Sequence, residues 1–526
     1  MDTKALRQKI LDLAIRGKLV PQDPSDEPAS VLLERIRAEK QQMVKDGKLK
    51  AKDIKNDTVI FVGEDNLHYE KFADGSVKCI EDEIPFELPE GWAWIRLGCI
   101  TDVIQYGLSN SAETSGDYRL LRITDIQDGR VDWDLVPFTT TEDPEKYLLH
   151  KDDIVFARTG ATVGKSFLIT DLPYASVYAS YLIRIRLISD ISANYIYQFF
   201  NSYCYWEQIT GKAVGVGQPN CNGTSLKELF IPLPPKEEQK RIVPAANKLL
   251  KIADVISSER DQLDELIQAT KSKILDLAIR GKLVPQNPND EPASVLLERI
   301  RTEKEALIKA GKLKRDKKES IIFRGDDNSY YLRTELGTEE ITDDLPFEIP
   351  GSWEWAKIGD VMQINPRNKL DDSMEVSFIP MPLIDDGFSG RHTSDVRMWK
   401  SVKSGFTHFM EGDIGVAKIT PCFENRKSVV FKNLANGYGA GTTELHILRP
   451  YASTILAEYV LAYVKSSMFI DNGIQEFTGA VGQQRIGKDY VEGSFFPIPP
   501  LAEQARIVVQ IAVAFKQLDI ISNALL

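Results

Sequence analysis

The chain lacks the residues and segments that mark several protein classes. Its five cysteines (Cys79, Cys99, Cys204, Cys221 and Cys422) are scattered and form no CxxC pair, which argues against a disulfide framework or a zinc ribbon and favours a reducing cytoplasm. No run of about 18 apolar residues is present, so no membrane span is predicted. The first residues, MDTKALRQKI, lack the apolar core of a signal peptide. We therefore expect a cytoplasmic protein.

The chain also has no excess of basic residues over acidic ones. The 526 residues include 65 lysines and arginines against 77 acidic residues, a formal net charge of −12. A protein that coats DNA electrostatically is normally basic, so any role on nucleic acid has to depend on local patches or on partners that bring positive charge. The composition, 43% hydrophobic and 27% charged, is typical of a soluble globular protein. The length predicts about three to five structural units.

A long internal repeat dominates the sequence. Residues 9–40 recur as residues 273–304, an offset of 264, with 29 of the 32 positions identical. Two further pairs match in the same order: residues 84–98 with 345–359, and residues 230–243 with 495–508. Between the second and third matches the two halves hardly agree. The pattern indicates a domain duplication in which two similar frameworks each hold a different insert.

A long central helix is predicted from Lys236 to Arg280, with Gly281 as its stop and a kink near Pro244. Apolar residues recur every seven positions, which is typical of a coiled coil. The predicted apolar seam consists of Ile242, Ala246, Leu249, Ala253, Ile256, Leu263, Ile267, Ile274 and Leu277.

Both ends of the chain show the same kind of spacing. The apolar positions are Leu6, Ile10, Leu13, Ile507, Ile511, Ala514, Leu518, Ile521 and Leu525. We expect the two ends together to form a second long helix, antiparallel to the central one. An intermolecular coiled coil is the alternative.

The remaining elements are predicted from local pattern. Shorter helices are expected over residues 29–46 and 293–310. The lysine-rich stretches 45–55 and 309–318 that follow are expected to be surface linkers or arms, which either contact DNA phosphate or are simply solvated. The inserts are expected to be mixed α/β, with strands at 153–157, 181–186, 413–417 and 444–448 and helices at 195–205 and 456–469.

Catalytic motifs are incomplete. Gly160 to Ser166 resembles a phosphate-binding loop but has three residues between its glycines where four are needed. The glycine-rich stretch 213–219 ends in a proline, which argues against a dinucleotide fold. Glu238-Gln239-Lys240 resembles a nuclease motif, yet its repeat is Glu503-Gln504-Ala505, which favours helix capping. The five histidines show no metal-ligand spacing. Trp92, Trp94, Trp353 and Trp355 recur at equal places and are predicted to be core residues.

Several segments of the sequence together resemble those of a known protein family. The telling segments are the half-length repeat, PPKEEQKRIV and PPLAEQARIV before the predicted long helices, YRLLRITDIQDGRV (118–131), and KDDIVFARTGATVGKS (151–166) with its weak match EGDIGVAKITPCFENRKS (411–428). Together they resemble the specificity subunit of a type I restriction-modification enzyme over nearly the whole chain. Residues 29–83 and 293–344 depart from the family pattern, and no role is predicted for them.

The resemblance implies a noncatalytic, DNA-binding subunit. The inserts would be target recognition domains that each read one half of a bipartite double-stranded DNA site. The helices would set the gap between the halves and dock two modification (methyltransferase) subunits and the restriction subunits. No cofactor is expected on this chain, whereas S-adenosylmethionine, ATP and Mg are expected on the partners. Two alternatives stay open: a single-chain DNA-modifying enzyme, for which no cofactor loop or catalytic cluster is visible, and a coiled-coil scaffold without a DNA role.

The predicted fold class is α+β: two mixed α/β target recognition domains separated by a pair of long antiparallel coiled-coil helices, with a pseudo-twofold internal repeat and a circular arrangement. The predicted division is a helical part at 1–50, a linker at 51–83, the first recognition domain at 84–235, the central spacer helix at 236–281, an accessory helix and linker at 282–344, the second recognition domain at 345–500, and a terminal spacer helix at 501–526.

Candidate DNA-reading residues are those whose side chains can match base edges, such as arginine for guanine and asparagine or glutamine for adenine. In the first insert they are Tyr106, Ser109, Arg119, Arg122, Arg158, Thr159, Lys165, Gln218, Asn220 and Asn222. In the second insert they are Asn365, Arg367, Asn368, Lys369, Arg391, Lys418, Arg426, Lys427, Gln483, Gln484 and Arg485.

Overall fold

A computed structural model of the chain describes residues 2–127, 129–212, 220–315, 319–451, 454–480 and 482–524. The chain divides into two compact units, Met1–Glu259 (unit 1) and Arg260–Leu526 (unit 2). The boundary lies near the midpoint of the chain and inside one long helix. Both units mix helices and strands, as the sequence predicts.

Unit 1 contains six helices of its own among the described residues and the first part of a seventh. The helices are α1 (Thr3–Ile15), α2 (Ala29–Lys45), α3 (Ala51–Ile54), α4 (Ala193–Phe200), α5 (Tyr203–Lys212), α6 (Gly223–Lys227) and α7 (Lys236–Ile279). The strands are β1 (Val59–Val62), β2 (His68–Lys71), β3 (Val77–Cys79), β4 (Ala93–Arg96), β5 (Thr101–Tyr106), β6 (Tyr118–Leu121), β7 (Ile126–Gln127), β8 (Arg130–Val131), β9 (Phe138–Thr139), β10 (Ile154–Ala157), β11 (Ser166–Leu168), β12 (Ser176–Tyr178), β13 (Leu182–Leu187) and β14 (Phe230–Leu233).

Unit 2 contains the rest of α7 and the following elements. Its helices are α8 (Ala293–Lys309), α9 (Ile358–Val361), α10 (Trp399–Val402), α11 (Ala457–Val464), α12 (Ser467–Gln475), α13 (Lys488–Gly493) and α14 (Leu501–Ala524). Its strands are β15 (Ile321–Arg324), β16 (Tyr330–Thr334), β17 (Gly337–Glu340), β18 (Glu354–Lys357), β19 (Met362–Ile364), β20 (Glu375–Ile379), β21 (Asp395–Met398), β22 (Thr407–Met410), β23 (Ile414–Ala417), β24 (Ser428–Val430), β25 (Tyr438–Gly441), β26 (Leu445–Pro450) and β27 (Phe495–Ile498).

The two inserts share a sheet plan although their sequences differ. In unit 1 an antiparallel sheet has the order β11-β10-β13-β5, and in unit 2 the corresponding order is β24-β23-β26-β19. Each insert has a second sheet with one parallel pair, β6 with β12 and β20 with β25. All four residues of β10 and of β23 are buried, because each strand has a neighbour on both sides and apolar residues throughout. The four predicted insert strands are confirmed.

The frameworks are built around buried tryptophans and the repeated Glu-Gln pair. Trp92, Trp94, Trp353 and Trp355 are all buried, as predicted. The side chain of Gln239 donates to the Pro234 carbonyl at 3.0 Å and accepts from the Ser192 amide at 3.0 Å. These bonds confirm a structural role for the pair at the start of α7, where unpaired backbone groups need partners.

In each unit a terminal helix contacts α7. In unit 1 the Thr3 hydroxyl donates to the Ser257 hydroxyl at 3.4 Å, and Arg7 forms an ion pair with Asp254. In unit 2 the Ser522 hydroxyl donates to Asp264 at 3.2 Å, and Lys271 forms an ion pair with Asp519. In both units the contacts run in opposite chain directions along the two helices.

The predicted long helix is confirmed, but its predicted apolar seam is only partly correct. The helix α7 continues through Pro244 and ends at Ile279. Ile242, Ala246, Ala253 and Ile267 are buried, whereas Leu249 is 38% exposed. Ile521 on α14 is also exposed, and Leu525 lies outside the described residues. The coiled-coil pairing along the whole spacer and the pseudo-twofold arrangement stay predictions.

Two predictions are wrong at the level of elements. The stretch 51–83, expected to be a linker, holds α3 and the three-stranded antiparallel sheet β1-β2-β3, and residues 321–340 hold the matching sheet β15-β16-β17. Each aromatic-rich helix of the inserts is two helices. The breaks occur where Ser202 and Ser466 accept hydrogen bonds from the amides of Tyr205 and Phe469 and so begin a new helix.

Among the described residues one helix, α14, is long and apolar enough to cross a membrane by length and composition. The sequence alone predicted no such segment. One such helix is weak evidence of a membrane span. Only 6% of its apolar window is buried, so α14 is not a core helix. It carries ion-pairing residues: Arg506 pairs with Asp290 at 2.5 Å, and Asp519 pairs with Lys271.

Candidate nucleic-acid interface

In unit 1 the turn between β10 and β11 meets two other segments. The Arg158 amide donates to the Tyr181 carbonyl at 3.1 Å, and the Arg158 carbonyl accepts from the Cys221 amide at 2.9 Å. Thr159 and Asn220 form an antiparallel β-bridge. The backbone therefore brings the predicted reading residues Arg158 and Thr159 together with Asn220, which follows about 60 positions later in the sequence.

Tyr106 and Asn222 join the same cluster. The Tyr106 hydroxyl accepts from the Gly223 amide at 2.9 Å, and the Arg158 guanidinium carbon lies 4.9 Å from the Tyr106 ring centroid. Tyr106 is 39% exposed. Asn222 is the N-cap of α6, where its side chain accepts from the Ser225 amide at 2.9 Å. This cluster presents an arginine, a hydroxyl and an asparagine side chain at one end of the main sheet.

The other candidates of the first insert have different surroundings. Ser109 and Lys165 are exposed. Arg119 donates to the Val136 carbonyl at 2.6 Å, and its guanidinium lies over the Phe138 ring. Arg122 forms a two-bond ion pair with Asp125 at 2.7 and 3.1 Å. Both arginines therefore have partners within the domain. Gln218 lies outside the described residues.

Unit 2 repeats the backbone connections of the first cluster with other side chains. The Lys418 amide donates to the Glu444 carbonyl at 3.0 Å, and the Lys418 carbonyl accepts from the Ile486 amide at 2.9 Å. Ile419 and Arg485 form the β-bridge that corresponds to the bridge of Thr159 with Asn220. The position of Arg158 is thus taken by Lys418, and that of Asn220 by Arg485.

Arg485 is held by a carboxylate. It pairs with both oxygens of Glu444 at 2.8 and 3.0 Å, and these bonds lower the pKa of Glu444. The neighbouring Gln484 uses its carbonyl to accept from the Thr420 amide at 2.9 Å, and Gln483 is exposed.

Asn365, Arg367 and Lys418 are among the residues that line a cleft of about 290 Å³. Arg367 is exposed and donates to the Phe406 carbonyl at 2.9 Å. Asn365 is more constrained, because it has a positive φ of 51° and its side chain accepts from the Ile447 amide at 2.9 Å. Asn368 donates to the Phe409 carbonyl at 2.9 Å. Lys369 is exposed.

The last three candidates surround the turn at residues 384–391. Arg391 is 80% exposed and pairs with Asp385 at 3.1 Å. Lys427 donates to the Ile384 carbonyl at 2.9 Å, and Arg426 donates to the Lys465 carbonyl at 3.0 Å. Only Arg391 of the three lies mainly in solvent. Among the described ranges, no group of three or more histidine, cysteine, aspartate or glutamate residues is placed to hold a metal ion.

Residues 89–265 match the family model described as the type I restriction modification DNA specificity domain. The chain carries this type I specificity domain. The resemblance predicted from the sequence is thereby confirmed, and the matched range covers the first insert and the first part of α7.

Curated relatives of the specificity domain agree with the family model. The chain is 46% identical over 245 residues to the EcoAI specificity subunit of Escherichia coli and 46% identical over 243 residues to the EcoEI specificity subunit of Escherichia coli. Each match covers 46% of this chain and 38% of the relative. The match therefore spans well under half the length of these relatives.

A solved structure supports the fold of the specificity domain. A chain from the study "Structural basis underlying complex assembly and conformational transition of the type I R-M system" aligns with a TM-score of 0.50 and 16% identity. The alignment covers 84% of this chain and 94% of that chain. At this identity the likeness concerns the fold alone.

The structure adds three residues around the two candidate sites that the sequence analysis missed. Tyr181 and Glu444 supply the carbonyls that hold Arg158 and Lys418, and Thr443 lines the cleft of the second insert. They lie immediately before β13 and β26. Because both strands were predicted, the residues preceding them could have been chosen by position, although none of the three has a side chain that singles it out.

Proposed function

We propose that the chain is the noncatalytic DNA sequence-specificity subunit of a type I restriction-modification complex. Each insert reads one half of a bipartite, asymmetric double-stranded DNA target. One observation carries the proposal: matching backbone hydrogen bonds hold Arg158 and Asn220 in one unit and Lys418 and Arg485 in the other. Two units with the same backbone connections but different side chains at these positions suit a ligand with a repeating shape and varying chemical groups.

Duplex DNA is such a ligand. Its backbone geometry is regular, and its sequence is read through base edges, where arginine matches guanine and asparagine matches adenine. The reading residues proposed for the first half are Tyr106, Arg158, Thr159 and Asn220. For the second half they are Asn365, Arg367, Lys418 and Arg485. Arg119, Arg122 and Asn368 are less favoured because of their position: the two arginines bond to residues outside the bridged cluster of unit 1, and Asn368 is not part of the lining of the cleft in unit 2.

Partners follow from the duplicated framework and from the charge. Near-identical frameworks suit two copies of one partner, which we take to be two modification subunits; restriction subunits join the same complex. Because the chain has a net charge of −12, these subunits supply much of the positive charge that DNA binding needs. They also hold S-adenosylmethionine, ATP and Mg. The complex acts in the cytoplasm, and a spacer of paired antiparallel helices with pseudo-twofold symmetry sets the gap.

Exchange of the first insert tests the proposal. Residues 99–230 are replaced by the corresponding insert of another specificity subunit, and the modified motif is mapped by methylome sequencing of cells that contain the assembled complex. We expect one half of the motif to change and the other half to persist, because the inserts belong to different units. A matched exchange in unit 2 should change only the other half.

Two outcomes would contradict the proposal. An exchange that alters both halves would show that the inserts do not read separately. Methylation or cleavage by the purified chain without other subunits would favour the single-chain enzyme instead.

A further inference from the structure

A lysine-rich loop follows α2 in unit 1. We call residues 45–55 the lysine loop. It carries Lys45, Lys48, Lys50, Lys52 and Lys55 against two aspartates, and all five lysines are exposed. Such a charge run can be merely solvated, so its role has to be decided from its anchoring, its repetition and its position.

The loop is closed at its base by a buried lysine. Lys40 is buried near the C-terminal end of α2, where its Nζ donates to the Gly98 carbonyl at 3.0 Å and pairs with Asp57 at 2.6 Å. The next residue, Thr58, donates from its hydroxyl to Glu70 at 2.6 Å. Since the chain enters from α2 and returns to the same lysine, the loop has a fixed base. A tethered cationic loop loses less conformational entropy on binding than a free arm does.

Unit 2 repeats the loop and its base. Lys309, Lys312 and Lys314 occur 264 positions after Lys45, Lys48 and Lys50. The buried Lys304 takes the place of Lys40 and pairs with Glu319 at 3.0 Å. The inserts of the two units differ almost completely, whereas the loop keeps its charge in both. The loop therefore suits a feature that is the same at both half-sites, which is the phosphate backbone and not the base sequence.

The loop lies beside a strand that leads to the reading cluster. Lys50 and Lys52, together with Lys227, line a cleft of about 380 Å³ that residues 101–105 of β5 also line. Tyr106 of the reading cluster ends this strand. The lysines therefore lie beside the strand that leads to the reading cluster.

The cleft does not suit a small free anion. Asp102 lines it. A carboxyl group in the lining opposes entry of a phosphate, so contacts are favoured at the exposed rim, where the lysines are. Charged surfaces of this composition are also unlike the centre of a protein interface, which is depleted in lysine.

We propose that the lysine loop of each unit binds the DNA phosphate backbone next to its half-site, without sequence preference. This inference rests on the proposed function, and it gives a role to part of residues 29–83 and 293–344.

Salt-dependent binding tests the inference. The triple variant K48Q/K50Q/K52Q is compared with the matched control K18Q/K71Q/K78Q, which removes three exposed charges of unit 1 outside the loop and outside the spacer helices. Each chain is assembled with its modification subunits. Binding to a duplex with the mapped target and to a duplex without it is measured at several salt concentrations. If the loop binds phosphates, the triple variant should flatten the plot of log K against log salt by about 0.9 for each phosphate that is no longer neutralised.

The expected result is a weaker affinity for both duplexes by the same factor, a slope flattened by about 1 to 3, and an unchanged modified motif. The control should keep the wild-type slope. A wild-type slope in the loop variant would overturn the inference, as would loss of subunit assembly with DNA binding intact, which would indicate a protein partner. Failure of the wild-type complex to prefer the target would instead contradict the proposed function.

Discussion

At the scale of single residues, Lys465 of unit 2 is a buried lysine with a strongly lowered pKa. It is 2% exposed, and its Nζ donates to the carbonyls of Gly387 and Arg426 at 2.5 and 2.9 Å. Burial and, to a smaller extent, the nearby Arg426 lower the pKa of Lys465 to about 7, although Asp385 and Asp386 act in the opposite direction. The folded chain therefore holds this proton less tightly than the unfolded chain.

The pH dependence of stability should reveal Lys465. Between pH 7 and about 10.5 the unfolded state binds more protons at this residue, so the free energy of unfolding rises with pH in that window. Relative to the variant Lys465→Met, the wild type should gain about 1 kcal/mol for each pH unit within it. Denaturant unfolding at pH 7, 8 and 9 measures the difference. The exposed control Lys400→Met should follow the wild-type profile, and parallel profiles for Lys465→Met and the wild type would contradict the assignment.

The sequence predicts suitable side-chain types at this scale but not their partners. Arg158 and Arg122 are equally good candidates from their type and their place in a loop. The Arg158 guanidinium nevertheless lies over the Tyr106 ring of the cluster, while the Arg122 side chain pairs with Asp125. Asn222 caps a helix. A polar residue in a loop can join the cluster, form an ion pair within the domain or cap a helix. Its role depends on which distant segments lie beside it in the fold, and the spacing of residues along the chain does not determine those neighbours.

At the scale of elements, the start of α14 is joined to the insert of unit 2 by Gln504. Its side chain donates to the Pro499 carbonyl at 3.0 Å and accepts from the Leu456 amide, the N-cap residue of α11, at 2.9 Å. Both bonds are shielded, since Gln504 is fully buried. Gln239 makes the equivalent bonds in unit 1.

Removing this amide should loosen one unit only. Gln504→Leu leaves the Leu456 amide and the Pro499 carbonyl unpaired, which costs about 1–3 kcal/mol for a buried group. Hydrogen exchange measured by mass spectrometry should show lost protection around α11 and the start of α14, with α4 unchanged. Gln239→Leu should give the reverse pattern. The exposed control Gln268→Leu should leave the protection of both units unchanged. Equal loss of protection in all three variants would contradict the prediction.

Element prediction succeeded where an apolar pattern is clear and failed where strands lie at the surface. The helix α7 was evident from its repeated apolar spacing, and the four-residue strands β10 and β23 from their buried apolar residues. The sheet β1-β2-β3 was missed because it lies largely at the surface: two of the four residues of β1 and all three residues of β3 are exposed. One signal was present: Asp74-Gly75 separates β2 from β3, and Gly75 has a positive φ of 87°, the conformation that favours glycine in tight hairpins.

At the scale of the whole molecule, the duplication was predictable and the spacer only partly. The repeat offset of 264 residues already implies two units, and the observed boundary lies at Glu259 and Arg260. The spacing of apolar residues did not show which side of α7 is buried, since Leu249, Ile252 and Val255 of this helix are all exposed. In the proposed complex, exposed apolar positions of this kind are where other subunits would pack.

Lengthening α7 at the unit boundary tests whether it sets the gap between half-sites. Four residues inserted after Glu259 add about 6 Å of helix. The insertion lies between the contacts of α1 at Asp254 and those of α14 at Asp264, so each unit keeps its own pairing. Because α7 belongs to both units, we expect the permitted gap to lengthen by about two base pairs. Both half-sites should stay the same, since no insert residue changes.

Methylome sequencing of cells with the assembled variant measures both quantities at once. The matched control replaces residues 259–262 by four other helix-forming residues at constant length, and it should keep the wild-type motif. A lengthened helix with an unchanged gap would show that α7 is not what sets the spacing. A changed half-site would show that the spacer helix and the inserts do not act independently. The insertion changes no residue of either reading cluster, so altered base recognition would have to come from the helix.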